Sequence, residues 1–215
     1  MPLDPSLLPT IEQLRRRTKA LAMVEAIVCP EWEDRYYSFN AAWSADEEMA
    51  SMRTGSGDDW FLLFSNAGAG LKGLDHKSPA AGDKELLAEV RRQVSPSLAT
   101  FLNESAFGWD WMSYCYWRTE ADSTWNRVKH SSAAPAEAED GSEEFLSLLL
   151  EPSTSYVEFA SWYYEVQLPS HSVEAIYCHT ALTPELVTSL NADADWGHVL
   201  ANAKEIGYPC PSSEA

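Results

Sequence analysis

The sequence predicts an α+β protein: an N-terminal helix, an antiparallel sheet of about five or six strands with inserted helices, then a C-terminal helical segment. Three observations carry that expectation. Apolar residues recur every third or fourth position from Leu7 to Val28, short aromatic-rich segments separated by turn residues fill the stretch from Asp34 to Lys129, and capped helical patterns return after Ser142. At 215 residues, with 45% hydrophobic and 22% charged side chains, the chain can bury a sizeable core, and its composition excludes disorder, collagen and a disulfide scaffold.

The first helix opens at Thr10, where Thr10 and Gln13 fit a capping box; Leu14, Thr18, Leu21, Val24 and Val28 continue its apolar stripe until Pro30 stops it. Arg15, Arg16, Arg17 and Lys19 fall mostly off that stripe, on a solvated face. Strands are expected over 34–40, 47–53, 59–64 and 69–74, with Gly55-Ser56-Gly57-Asp58 and Ser65-Asn66-Ala67-Gly68 as tight antiparallel connections. Trp60 to Phe64 is apolar on both faces and belongs in the sheet's interior, covered from both sides. Helices over 83–94 and 95–103 return the chain to the sheet, the second with Ser95 as cap and Pro96 in its first turn, where proline forfeits no hydrogen bond. Alternation from Trp109 to Arg118 predicts another strand with Trp109, Trp111 and Trp117 on one face, paired with 124–129.

Residues 131–142 (SSAAPAEAEDGS) are small, acidic and punctuated by proline and glycine. They read as a loop or linker between a sheet domain over 1–130 and an acidic helical segment over 143–215 packed on it, the alternative being one single domain overall. In that segment helices are expected over 143–150, from Tyr156 to Val166 with Ser155 and Glu158 as a capping box, and from Ser172 to His179. Two more follow, one opened by Thr183-Pro184-Glu185 and one capped by Asp193 or Asp195 and ended by Gly207-Tyr208-Pro209. Their spacing is irregular, so a solenoid is not expected.

Charge is unevenly distributed. Residues 1–130 carry 14 basic and 19 acidic side chains, whereas 131–215 carry Lys204 alone against 14 acids. No lysine or arginine occurs from 131 to 203, so the acids there lack basic neighbours in sequence and mostly face solvent. Such a field repels phosphate backbones and attracts a basic surface, which argues against direct nucleic-acid binding and for a basic protein partner. Cys29, Cys115, Cys178 and Cys210 form no C-x-x-C pair and no zinc-finger spacing, so no disulfide framework, structural metal or cofactor is expected. Met1 to Lys19 does not read as a secretion signal, and no apolar run approaches the roughly 20 residues that cross a bilayer. The expected location is the cytoplasm, with no membrane partner.

Arg35-Tyr36-Tyr37-Ser38-Phe39-Asn40, Trp43, Glu47–Arg53 (EEMASMR), Gly55-Ser56-Gly57-Asp58 and Lys72-Gly73 with His76 resemble stretches of a group of uncharacterised bacterial proteins. Leu182–Val187 (LTPELV) with Leu190-Asn191 and Ile206–Pro209 (IGYP) are similar too. The resemblance implies common descent and brings with it no activity, cofactor or catalytic residue. Lys77–Gly82 departs from the group's pattern.

The sharpest chemical signal is Gly55–Asp59 (GSGDD), followed by Asp75 and His76. Serine, histidine and carboxylates are all present. The glycines open no helix, which excludes a nucleophile elbow, and no Lys-Ser/Thr follows them, which excludes a phosphate loop. A tight turn is what these residues require first. If the strand ends converge, Asp58, Asp75 and His76 are candidates for a catalytic acid–base set or a divalent-ion site, with Arg53 or Arg118 to hold an anion. Asn191, Asp193 and Asp195 imitate the start of a calcium loop, but Trp196 stands where its glycine belongs and Asn202 where its glutamate belongs, so helix capping explains the acids. Cys178 and His179 with His171 do not share a helix face and read as a core cysteine beside a surface histidine.

Trp162, Tyr163 and Tyr164 cannot all face inward, because successive helix residues point about 100° apart. An exposed aromatic amid Glu158 and Glu165 makes a contact point for a partner. Together these features favour a non-enzymatic protein that covers a basic partner with an acidic helical surface, in the manner of an immunity protein or antitoxin. The alternative is a small enzyme or ligand-binding domain with a polar site at the sheet ends around Asp58, Asp75 and His76.

Overall fold

Helix α1 (Ile11–Val28) begins with the expected reciprocal cap: the Gln13 N–H donates to the Thr10 hydroxyl oxygen, and the Thr10 N–H donates to the Gln13 carboxamide. The computed structural model describes residues 1–129 and 139–211. After α1, strands β1 (Tyr37–Ser44), β2 (Glu47–Arg53), β3 (Asp59–Ser65), β4 (Gly68–Leu74), β5 (Tyr114–Thr119) and β6 (Asn126–Arg127) form one antiparallel sheet in sequence order. Met52 lies opposite Trp60, Leu62 opposite Leu71, and Leu71 opposite Tyr116. Pairing of β1 with β2 is irregular between Asn40 and Ser44.

Side chains alternate across a strand, so this register sorts the sheet into two apolar faces. Phe39, Met52, Trp60, Leu62, Tyr114 and Tyr116 join one cluster with α1. Leu63, Cys115 and Trp117 join a second cluster on the opposite face. Helices α2 (Lys84–Gln93) and α3 (Ala99–Asn103), inserted between β4 and β5, cover that second face with Leu86, Val90 and Phe101. The two-sided covering expected for Trp60–Phe64 follows. Gly70 and Gly73 allow the close approach on either side: a Cβ would stand 2.4 Å from the Phe101 ring at Gly70 and 2.0 Å from the Tyr114 ring at Gly73.

The chain then forms α4 (Ser142–Phe145), α5 (Ser147–Leu150), α6 (Ser153–Tyr163), α7 (Ser170–Tyr177), α8 (Pro184–Leu190) and α9 (Trp196–Ile206). Helices α7, α8 and α9 pack on α1, and α9 also lies against β1. Helix α1 is therefore enclosed, which is why its buried residues spread beyond a single stripe. Thr183 and Asp195 cap α8 and α9 as the sequence predicts, and Gly207 ends α9 in a left-handed turn. Among the described residues no helix is long and apolar enough to cross a membrane. The four cysteines are all free.

Several elements depart from expectation for identifiable reasons. The strand predicted from Trp109 begins only at Tyr114, because a left-handed Gly108 turns the chain and Trp109 is held edge-on against Phe101. Trp111 consequently lies outside the strand, 64% exposed. The partner strand over 124–129 shrinks to Asn126–Arg127. A short 3-10 turn at Trp32–Asp34 delays β1 to Tyr37. The helix expected from Tyr156 starts at Ser153 behind Pro152, so Ser155 is a helix residue rather than its cap. Residues 131–138 of the expected linker lie outside the described residues, whereas Asp140 and Ser142 at its end are buried.

Buried polar groups connect distant parts of the chain. Glu25 on α1 accepts hydrogen bonds from the Tyr156 hydroxyl (2.7 Å), the Tyr164 hydroxyl and the Tyr36 N–H (2.9 Å). Asp140 accepts from Arg127 (2.9 Å) and from the Ser142 N–H and hydroxyl, and the Ser142 oxygen accepts the Leu3 N–H at 2.8 Å. On the sheet's second face, the Lys72 ammonium is bound to Asp59 at 2.8 Å with its side chain only 1% exposed. Each of these groups meets the rule that a buried polar atom must find a partner.

Candidate functional site

The β2–β3 connection takes the tight form that its glycines permit, with Gly55 at φ 74 and Gly57 at φ 113, both in the region that favours glycine. The Thr54 N–H donates to the Asp58 carbonyl at 3.1 Å, and the Thr54 hydroxyl oxygen accepts the N–H groups of Ser56 and Asp58. This loop delivers the Asp58 carboxylate to the residues that follow β4. Asp58 Oδ1 accepts the His76 N–H at 3.0 Å and meets His76 Nδ1 at 2.6 Å, while Oδ2 accepts from the Thr54 hydroxyl at 3.1 Å. Burial pushes the Asp58 carboxyl up, but the bonds from the His76 N–H, its imidazole and Thr54 outweigh it and hold the group below the usual carboxylate range.

Asp75 is fixed beside this pair. Its N–H donates to the Ser113 hydroxyl at 2.8 Å, and its Oδ1 accepts the Lys77 N–H at 2.9 Å. Gly141, at φ 83, packs directly over it, where a Cβ would come within 2.4 Å of the Asp75 Cβ. Donor atoms of Asp58, Asp75 and His76 thus lie within 4.8 Å of one another. The convergence of strand ends on which these candidates depended is met.

The geometry limits the chemistry. The Ser56 hydroxyl contacts Thr54 at 2.9 Å and Asp58 Oδ2 at 3.5 Å, so the carboxylate stands between serine and imidazole. A nucleophile relay needs the imidazole in the middle, and Ser56 is therefore not an activated nucleophile. The 2.6 Å separation of Asp58 Oδ1 and His76 Nδ1 is that of a hydrogen bond. Two donors each about 2.0–2.2 Å from one tetrahedral ion stand further apart than that, so these two atoms do not form a ready ligand pair. What the arrangement provides is an imidazole oriented through Nδ1, with a second carboxylate nearby and a side chain 39% exposed.

The two candidate arginines lie apart. Arg53 ends β2 opposite Asp59, with its guanidinium 4.5 Å from the centre of the Trp32 ring. Arg118 pairs with Ala69, at the other end of β4 from Asp75, and donates to the Asp122 carbonyl at 3.2 Å, which shapes the β5–β6 turn.

At the end of α6, Trp162 is 79% exposed, while Tyr163 and the capping residue Tyr164 turn toward the Thr54 carbonyl and Glu25 respectively. Glu158, one turn before Trp162, and Glu165, just beyond the helix, are exposed with it. Among the described residues neither makes an ion pair. In the described part of the C-terminal half, Asp140 pairs with Arg127 and Glu143 with the Met1 amino group; the other acids make no ion pair among the described residues. A groove beside β1 and β2, lined in part by Trp32, Trp43 and Ser51, has no signal in the sequence because its residues come from separate elements. Compared with protein-family models, with curated proteins and with solved structures, the chain has no match.

Proposed function

We propose that this protein is a non-catalytic binder of a basic protein partner, in the manner of an immunity protein or antitoxin, and that the surface formed by Glu158 and Trp162 of α6 with Glu165 just beyond it is its contact surface. Trp162 carries the reading. A largely solvated indole close in sequence to two exposed carboxylates that make no ion pair among the described residues combines a side chain enriched at binding hot spots with a field that draws cations. The absence of lysine and arginine from 131 to 203 supports the same sign of partner.

A photo-crosslinking residue at position 162, compared with one at the exposed Leu7, tests this in extracts of the source cell. The expected result is a basic protein captured from 162 and not from 7. Capture should be lost at high salt and in the combined variant Glu158→Lys, Glu165→Lys, since exposed charges are screened. Equal capture from both positions, or capture indifferent to salt, removes the reading.

The Asp58–His76 bond favours a second reading, a small enzyme or ligand-binding domain using the oriented imidazole with Asp75 alongside. A screen with chromogenic ester, phosphate and glycoside substrates tests it. Turnover lost in His76→Ala supports this reading; turnover equal in both forms, or none in either, tells against it.

A further inference from the structure

We propose that the groove beside β1 and β2 binds a small aromatic monocarboxylate, with the ring against Trp43 and Phe61 and the carboxylate on Arg53. This site is independent of the α6 face. The groove encloses about 470 Å³, within the range of small-molecule sites, and Trp32, Trp43, Ser51, Arg53, Phe61 and Glu205 help to line it.

Its aromatic walls are held in place before any ligand arrives. The Trp43 indole N–H donates to Glu104 at 3.0 Å, and Phe61 stacks on Phe107 with ring centres 5.0 Å apart and planes at 16°. Preorganised rings lose little freedom on binding, which favours a flat apolar guest. The charge of that guest follows from Arg53. Among the described residues Arg53 makes no ion pair: its cross-strand neighbour Asp59 is hydrogen-bonded to Lys72 and feels the Arg53 charge only at longer range. The Arg53 guanidinium carbon lies 4.5 Å from the centre of the Trp32 ring, a cation–π contact made through the face of the group that leaves its N–H groups for a carboxylate.

Two further groups narrow the class. Ser51 lies on β2 between Ser38 and Phe61, is 1% exposed, and has a buried hydroxyl with no hydrogen-bond partner among the described residues. An unpaired hydroxyl beside an aromatic groove fits a ligand carrying a polar atom as well as a ring. Arg53 is the one cation among the described residues that line the groove and Glu205 an acid, so a second ligand carboxylate would meet no cation there, which favours a monoanion over a dianion.

The test is a titration of the full chain with 1-naphthoate, read by tryptophan fluorescence, with 1-naphthamide as the uncharged comparison. Saturable quenching is expected, with the carboxylate about tenfold tighter than the amide, as a charge-assisted hydrogen bond supplies. Arg53→Gln should bring the two affinities together, Trp43→Ala should weaken both, and Arg118→Gln should change neither. If Arg53→Gln fails to fold by circular dichroism, the salt dependence of naphthoate binding, absent for the amide, reads the same contact. No saturable quenching, equal affinities in the unaltered chain, or a preference surviving Arg53→Gln would overturn the proposal.

Discussion

Replacing Glu25 by glutamine is expected to stabilise the protein by about 3 kcal/mol above neutral pH and to change stability little in acid. Complete burial pushes this carboxyl from 4.5 up to about 7, against the opposing effect of hydrogen bonds from Tyr164, Tyr156 and Tyr36. The folded pKa is raised above the unfolded one, so the contribution is fully present below about 4.5 and is lost as pH rises toward 7. Glutamine keeps an acceptor for the Tyr36 N–H, offers a donor to one tyrosine oxygen, and does not ionise. Glu25→Ala has the opposite outcome in acid: it strands two tyrosine hydroxyls and an N–H and should cost about 3–5 kcal/mol at pH 4, a deficit that shrinks toward pH 9 as the original chain loses its own contribution from this carboxyl. Urea unfolding of the three forms at pH 4, 7 and 9 reads both effects. A difference between the original chain and Glu25→Gln that stays constant across that range would refute the argument.

Asp59→Ala is expected to destabilise by about 3–5 kcal/mol, because it leaves the Lys72 ammonium buried without its partner. The pair itself contributes far less. Burial pushes the Asp59 carboxyl up and the Lys72 ammonium down, each against the attraction of the other, so desolvation outweighs their mutual attraction. Lys72→Met combined with Asp59→Asn should therefore fall within about 1 kcal/mol of the original chain. Methionine matches the length of the lysine stem and suits a site beside Phe61 and Cys115. A double-mutant cycle by denaturant unfolding decides this: near-additive losses would mean that the two groups are not coupled.

Features recorded in local sequence were legible in it. The Thr10–Gln13 cap, the alternation of β2 and β3, the glycine turn at 55–58 and the Thr183 and Asp195 caps each depend on residues a few positions apart. Asp58 and His76 were readable for the same reason: one hairpin separates them, and antiparallel pairing brings its open ends together. Glu25 was not. On a helical wheel it is an ordinary acid, and its acceptor role depends on donors as far as 139 positions away. The alternation from Trp109 to Ser113 imitated a strand because side-chain periodicity does not register the left-handed turn at Gly108. The groove around Ser51 and Arg53 needs α9 and the turn after α1 to meet the sheet, which no local pattern records.

The meander leaves β1 and β6 as its two outer strands, and both are irregular or short among the described residues. Backbone pairing of β1 is broken between Asn40 and Ser44 with α9 against it, and β6 spans two residues. Among the described residues a neighbouring copy would meet a register-shifted strand flanked by a helix at one edge and a two-residue strand at the other, irregular templates of the kind that hinder edge-to-edge growth of a sheet.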